Sequence, residues 1–170
     1  MCYSRCVTPP MTMGRVSVVP MRLLRSLIFM VAAAVLVSAG PVNPARALTE
    51  RAKHMRDDMC SLVNASRRNH GVAPLKLNWR VSREAWHHSR RMARRHSVYH
   101  TTDLYSLVRR YDPYTWGENV GMAGTLKRME RLFMGSSPHR ANILNRAFHK
   151  IGVGVVHAGG HVWVTLDFYG

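Results

Sequence analysis

Cysteine is nearly absent from this chain, and acid is scarce. Of three cysteines in 170 residues, Cys2 and Cys6 stand at the extreme N-terminus. Cys60 alone remains in the body of the chain, so that region has no internal disulfide and a disulfide-stapled scaffold is excluded. Cys60 reads as a small buried residue on a helix rather than a reactive thiol. Nine Asp and Glu face 25 Lys and Arg, a formal charge of +16. No His-Glu-x-x-His word is present, which excludes that zinc-protease arrangement. No nucleic-acid recognition motif is visible, so no specific nucleic acid is expected as a partner. Repeats and low-complexity linkers are missing too. The apolar run from Leu27 to Ala39 is too short to favour a spanning helix, and Gly40, Pro41 and Pro44 follow it closely.

That run reads instead as part of a leader. Arg22 and Arg25 precede it, and Ala45-Arg46-Ala47 follows as a small-x-small cleavage site. Residues 1–47 are therefore expected to be a secretory signal peptide. The first twenty residues make an over-long n-region, and Met21 begins an ordinary one. The remaining 123 residues, 48–170, are enough for one domain with one core. Five of the 25 cations lie before Leu48, so twenty remain against nine acids, a charge of +11. Such an excess favours anionic surfaces. The expected location is secreted or envelope-associated, and the expected partners are anionic cell-envelope polymers or lipid headgroups. An arginine-biased genome would produce the same excess.

Hydrophobic spacing predicts a first helix over about 49–69, with Met55, Met59, Leu62 and Val63 on one face and Gly71 just past its end. Pro74 to Leu77 reads as a short strand. A second helix is expected over 79–98, with Asn78 as its N-cap. Its apolar side carries Val81, Ala85, Ser89, Met92, Ala93 and His96. The opposite side carries Arg80, Arg83, His87, Arg90, Arg91 and Arg94 with almost no acid, and Arg83, Arg90, Arg91 and Arg94 are the candidate anionic-surface contacts. A short helix and loop are expected over 102–115 and another helix over 126–134. Ser137 and Pro138 suit the cap and first turn of a last short helix. Lys150 to His157 pairs with a strand in which Val162, Val164, Leu166 and Phe168 alternate with Trp163, Thr165 and Asp167, a half-buried pattern. Ala158-Gly159-Gly160 supplies the turn.

Several words in this layout travel together. They are Leu62-Val63-Asn64 before a basic stretch and Gly71, then His88-Ser89-Arg90-Arg91-Met92-Ala93 and His100-Thr101. Next come Trp116-Gly117-Glu118-Asn119-Val120, His139-Arg140-Ala141-Asn142-Ile143-Leu144, and the closing strands. In order and spacing, from about Arg56 to the C-terminus, they resemble the CAP superfamily of cysteine-rich secretory, antigen five and pathogenesis-related proteins, in its short bacterial branch. The resemblance implies an α+β domain built as a three-layer α-β-α sandwich. It also implies that His100, Glu118 and His139 line one cleft. Two departures stand out. Bacterial members read Trp-Met-Asn-Ser-Pro-Gly-His-Arg where this chain has Phe133-Met134-Gly135-Ser136-Ser137-Pro138-His139-Arg140. A second acid of the animal and plant tetrad falls near Ser136, which is not acidic.

Two imidazoles and a carboxylate suit either a metal site or acid–base chemistry. His139, in the first turn of a helix, faces the positive end of the dipole, which disfavours its imidazolium. A neutral ring is what a metal ligand requires. The expectation is a non-catalytic cleft that holds zinc, another divalent metal through His100 and His139, or a small polar ligand; the family resemblance further implies lipid in a neighbouring groove. The alternative is a metal-assisted hydrolase, a peptidase or wall-modifying enzyme. The missing acid removes the obvious general base and weighs toward binding. His100 is also placed near the end of the second helix, at i, i+4 from His96, a spacing that suits adventitious metal. Glu118 capping main chain and Asn119 bridging strands are the structural counterparts to these roles.

Overall fold

A computed structural model of the chain describes residues 44–170, with side chains from Thr49 onward. The expected leader and the Met21 start lie outside the described residues, apart from the last turn before Leu48. The described residues fall within one compact unit. Helix α1 spans Pro44–Asn69, β1 Lys76–Leu77, α2 Trp79–Arg95 and α3 Leu104–Val108, which runs into a 3-10 turn over Arg109–Tyr111. Strand β2 (Trp116–Ala123), helices α4 (Leu126–Gly135) and α5 (Ser137–Leu144), and strands β3 (Lys150–Ala158) and β4 (His161–Tyr169) follow. Among the described residues no helix is long and apolar enough to cross a membrane.

The sheet order is β1-β3-β4-β2, with β3, β4 and β2 antiparallel and β1 parallel to β3. Gly159 and Gly160 take φ of 60° and 74° in the β3–β4 turn, the left-handed pair that a two-residue hairpin needs. One face of the sheet carries Val153, Val155, Val164, Leu166 and Phe168. These pack with Met59 and Val63 of α1, Met129 and Phe133 of α4, and Ile143 of α5. Fully burying a side chain such as Phe133 contributes roughly 1.5–3 kcal/mol. The other face packs against α2. A Cβ at Gly154 would lie 2.1 Å from the Ala85 carbonyl carbon, so the helix backbone rests almost directly on the strand. The result is the three-layer α-β-α sandwich expected from the resemblance.

Four local expectations are corrected. Helix α2 stops at Arg95, because His96 turns into the left-handed region (φ 49°) and its N–H caps back onto Ala93. His100 is therefore in the following loop, and His96 and His100 are not a helical pair. His96 is exposed rather than on the apolar side. Ser137 is inside α5; the cap position is Ser136, and its side chain makes no capping bond. Strand β4 is not half-buried: from Val162 to Tyr169 every residue is buried, because helices cover both faces of this central strand. Asn78 does cap α2, accepting from the N–H groups of Arg80 and Val81 at 2.9 and 3.1 Å. On α2, Val81, Ala85, Ser89, Met92 and Ala93 are buried, while Arg83, Arg90, Arg91 and Arg94 are exposed.

Buried polar groups tie the elements together. Asn64 pairs its side-chain amide with Leu75, donating to the carbonyl at 3.0 Å and accepting the N–H at 2.8 Å. Arg67, 1% exposed, donates to the carbonyls of Ala73 (2.7 Å), Ile143 (2.7 Å), Asn145 (2.9 Å) and Phe148 (3.1 Å). Burial holds its guanidinium pKa below the ordinary value. Cys60 is half-buried and its thiol pKa is raised, first by burial and then by Asp57. That matches an unreactive thiol.

Candidate functional site: a cleft at the sheet edge

The three candidate residues reach the site from different layers. Glu118 lies on the edge strand β2, on the α2 side of the sheet, opposite Asp167 of β4. His100 comes from the loop after α2, and its Nδ1 lies 2.6 Å from Glu118 Oε2. The main-chain N–H of Thr101 donates to the same carboxylate at 2.9 Å. Glu118 is nearly buried while the His100 ring is 63% exposed, so the carboxylate orients a ring that faces solvent. His139 sits in the first turn of α5, on the opposite side of the sheet, with Nδ1 2.9 Å from Ser136 Oγ. Burial lowers its pKa, and nearby His100 lowers it further. The expected neutrality thus has burial as its main cause.

A pair of asparagines joins the two sides. Asn119, fully buried, donates to the His139 carbonyl at 2.9 Å. Asn142 of α5 donates to Asn119 Oδ1 at 2.9 Å and to the Glu118 carbonyl at 3.2 Å. Asn119 therefore bridges a strand to a helix rather than two strands. The Gly-Glu-Asn and His-Arg-x-Asn words are bonded to each other directly. Gly117 makes room for this joint, since a Cβ there would lie 2.9 Å from Asn142 Oδ1.

A model of the cysteine-rich secretory protein family, CAP, matches residues 60–168. The chain belongs to this family. The uncharacterized protein YkwD of Bacillus subtilis is 32% identical over 116 residues, which cover 64% of this chain and 44% of the relative. The matched part is thus less than half of that relative's length. An extracellular protein with a SCP domain from Bacillus anthracis shares the fold with a TM-score of 0.62 at 23% identity, over 77% of this chain and 45% of that one. An outer surface protein of Borrelia burgdorferi does so with a TM-score of 0.58 at 16% identity, over 69% and 92% of the two chains.

In this CAP domain a second acid does stand beside Glu118, at Asp167. It is 1% exposed, and its Oδ1 has no hydrogen-bond partner. Burial pushes its pKa well above its ordinary value, with the adjacent Glu118 charge and a hydrogen bond to Glu118 adding to the rise. Burial and the neighbouring Glu118 thus both favour the protonated form of Asp167. Sequence reading placed it on the solvent side of a half-buried strand. The available signal was its position opposite Glu118 once the strands are paired.

The sign of the resulting pH dependence is definite. An unfolded Asp releases its proton near pH 3.9. Above that pH the folded state keeps a proton that the unfolded chain has lost. This group's contribution is complete below about pH 4 and is lost as pH rises through the folded pKa. Asp167→Asn keeps the shape and a donor toward Glu118 without that proton. Its urea midpoint is expected to exceed the wild type's by more at about pH 8 than at about pH 5. An equal difference at both pH values would mean that Asp167 is ionised in the folded domain.

The donor set is smaller than the one zinc requires. Each imidazole spends Nδ1 on the protein, and Glu118 is engaged by His100 and Thr101. Among the described residues no three His, Cys, Asp or Glu side chains are grouped to hold a metal ion. Two imidazole nitrogens fall short of the three protein ligands that catalytic zinc sites use and the four of structural ones.

Proposed function

We propose that this CAP domain is an extracellular or envelope-associated binding module, and that its His100/Glu118/His139 cleft holds a polar ligand without turning it over. The observation that carries this reading is the anchoring of both imidazoles through Nδ1, to Glu118 and to Ser136. Among the described residues Nε2 of each ring is left for a ligand. Glu118 acts as an orienting group, and Ser136 stands where the family pattern places a further acid. A divalent metal held by two imidazoles would take its remaining donors from water or from the ligand itself. The relatives described as extracellular or outer-surface proteins support the location.

The exposed arginines of α2 provide the second part of the proposal. Arg83, Arg90, Arg91 and Arg94 share that helix with a single acid, Glu84, which pairs with Arg83 at 3.2 Å. They are placed to hold the domain on anionic polymers or headgroups. The purified protein is expected to be retained on bacterial cell-wall sacculi. His100→Ala/His139→Ala should reduce retention at both low and high salt. Arg83, Arg90, Arg91 and Arg94 changed together to Gln should reduce it several-fold at low salt and little at high salt, where charge is screened. Equal retention of all three proteins would sink the proposal.

A rival reading as a hydrolase has one observation in its favour. The His100–Glu118 pair is the arrangement by which a carboxylate orients a general base. Turnover of a peptide or wall substrate, lost in His100→Ala with the fold intact, would establish it.

A further inference from the structure

Two exposed aromatic rings, Trp116 and Tyr105, touch beside the cleft, and neither the fold nor the binding reading explains them. Trp116 is two residues from Glu118 on β2, so the two side chains share the face toward α2. Trp116 is 44% exposed. Tyr105 of α3 is 48% exposed and leans on it, with ring centroids 4.7 Å apart and planes at 40°. Tyr114, two residues before Trp116, is 94% exposed. Soluble domains rarely leave such rings adjacent in solvent without a use. A cavity of about 700 Å³ lies elsewhere, between α1 and α2, and includes none of these residues.

We propose that Trp116 and Tyr105 form a stacking platform for a pyranose ring of a glycan, which extends from them onto His100, the ring that Glu118 orients. This rests on the cleft-binding reading above and names its ligand class. The argument is one of matched chemistry. An aromatic face is electron-rich and favours the polarised C–H groups on one side of a sugar ring. Beside it, the His100 ring is 63% exposed and fixed by Glu118, and it offers a hydrogen-bonding nitrogen to a hydroxyl. A ligand that is apolar on one side and rich in hydroxyls at its edges satisfies both. An acyl chain would leave the imidazole unpaired. A peptide adding as a strand is disfavoured for a different reason. The Glu118 carbonyl is already taken by Asn142 at 3.2 Å, and α5 packs against β2.

The test is titration of the full-length protein with chitotetraose and with cellotetraose, two neutral β-linked tetrasaccharides, followed by calorimetry and by the indole N–H resonance of Trp116. Saturable binding is expected, changing less than twofold between low and high salt. Trp116→Ala and Tyr105→Ala should each weaken it at least fivefold. Trp79→Ala, which removes an exposed tryptophan at the start of α2, should leave it unchanged. Circular dichroism checks that each variant is folded. Absence of binding to both sugars overturns the glycan inference, as does binding that ignores Trp116 and Tyr105. A Val/Thr hexapeptide that binds with the same Trp116 dependence while the sugars do not also overturns it. If the sugars bind through Trp116 but His100→Ala/His139→Ala has no effect, the platform stands and the cleft reading fails. If no sugar binds while sacculus retention still depends on His100 and His139, the cleft reading stands and the platform fails.

Discussion

Arg67→Met is expected to destabilise the domain by about 3–5 kcal/mol, enough to bring it close to unfolding. Four main-chain carbonyls lose the guanidinium at once, although that of Asn145 keeps the Phe148 N–H at 3.4 Å. Each unpaired buried acceptor costs roughly 1–3 kcal/mol, partly offset because a desolvated charge is removed. Among the described residues no carboxylate is bonded to the guanidinium, and carbonyl dipoles hold it. Arg67→Lys should recover little, since an ammonium lacks the planar fork that reaches carbonyls in several directions. Urea midpoints with a shared slope would measure the effect. A loss under about 1 kcal/mol would mean that water replaces the guanidinium at those carbonyls. The variant also bears on function, because Ile143 and Asn145 belong to the end of the helix that carries His139.

Gly154→Ala is the second large effect, about 3 kcal/mol, at the upper end for overpacking. The added carbon would lie 2.1 and 2.2 Å from the carbonyl carbon and oxygen of Ala85. Both are main-chain atoms, so no rotamer change relieves the clash and α2 must lift from the sheet. The Ser89 hydroxyl, which donates to the Gly154 carbonyl at 3.1 Å and lies 2.9 Å from Thr165 Oγ1, would be disturbed as well. Gly135→Ala is the control. It ends α4 with no atom within 4 Å of its would-be Cβ, so it should be neutral or stabilising by up to about 1 kcal/mol. Thermal or urea unfolding of the two variants side by side checks the contrast.

The helices and the final hairpin were largely legible in the sequence, because amphipathic spacing and turn glycines are local signals. Strand β2 was not assigned. Gly117 and Gly121, with Glu118 and Asn119 between Trp116 and Val120, obscure its alternation, and each serves a tertiary contact. The end of α2 was overrun because neither Gly nor Pro marks it; His96 adopts a left-handed conformation that local propensity disfavours. In the sequence Arg67 is only one member of a basic stretch before Gly71. Only the packing of α1 against the α5–β3 connection shows that it is interior. Asp167 was hidden for a related reason. Strict alternation in β4 suggests one wet face, and the helix covering that face is far away in sequence. The trio itself was named through resemblance, whereas its hydrogen bonds required the folded chain.

The asparagine joint has a further consequence. His100 belongs to the layer above the sheet and His139 to the layer below, and the edge strand β2 stands between them. The spacing of the two rings is therefore a caliper reading across the thickness of the sandwich. Among the described residues no disulfide clamps its jaws; Asn119, Asn142 and the anchor at Arg67 set them. A small slide of α5 along β2 would change the gap without touching either imidazole. On the proposed binding reading, affinity in the cleft would depend on how tightly the two layers are held together, and substitutions at that joint should be felt as changes in the grip on a ligand before they are felt as loss of the fold.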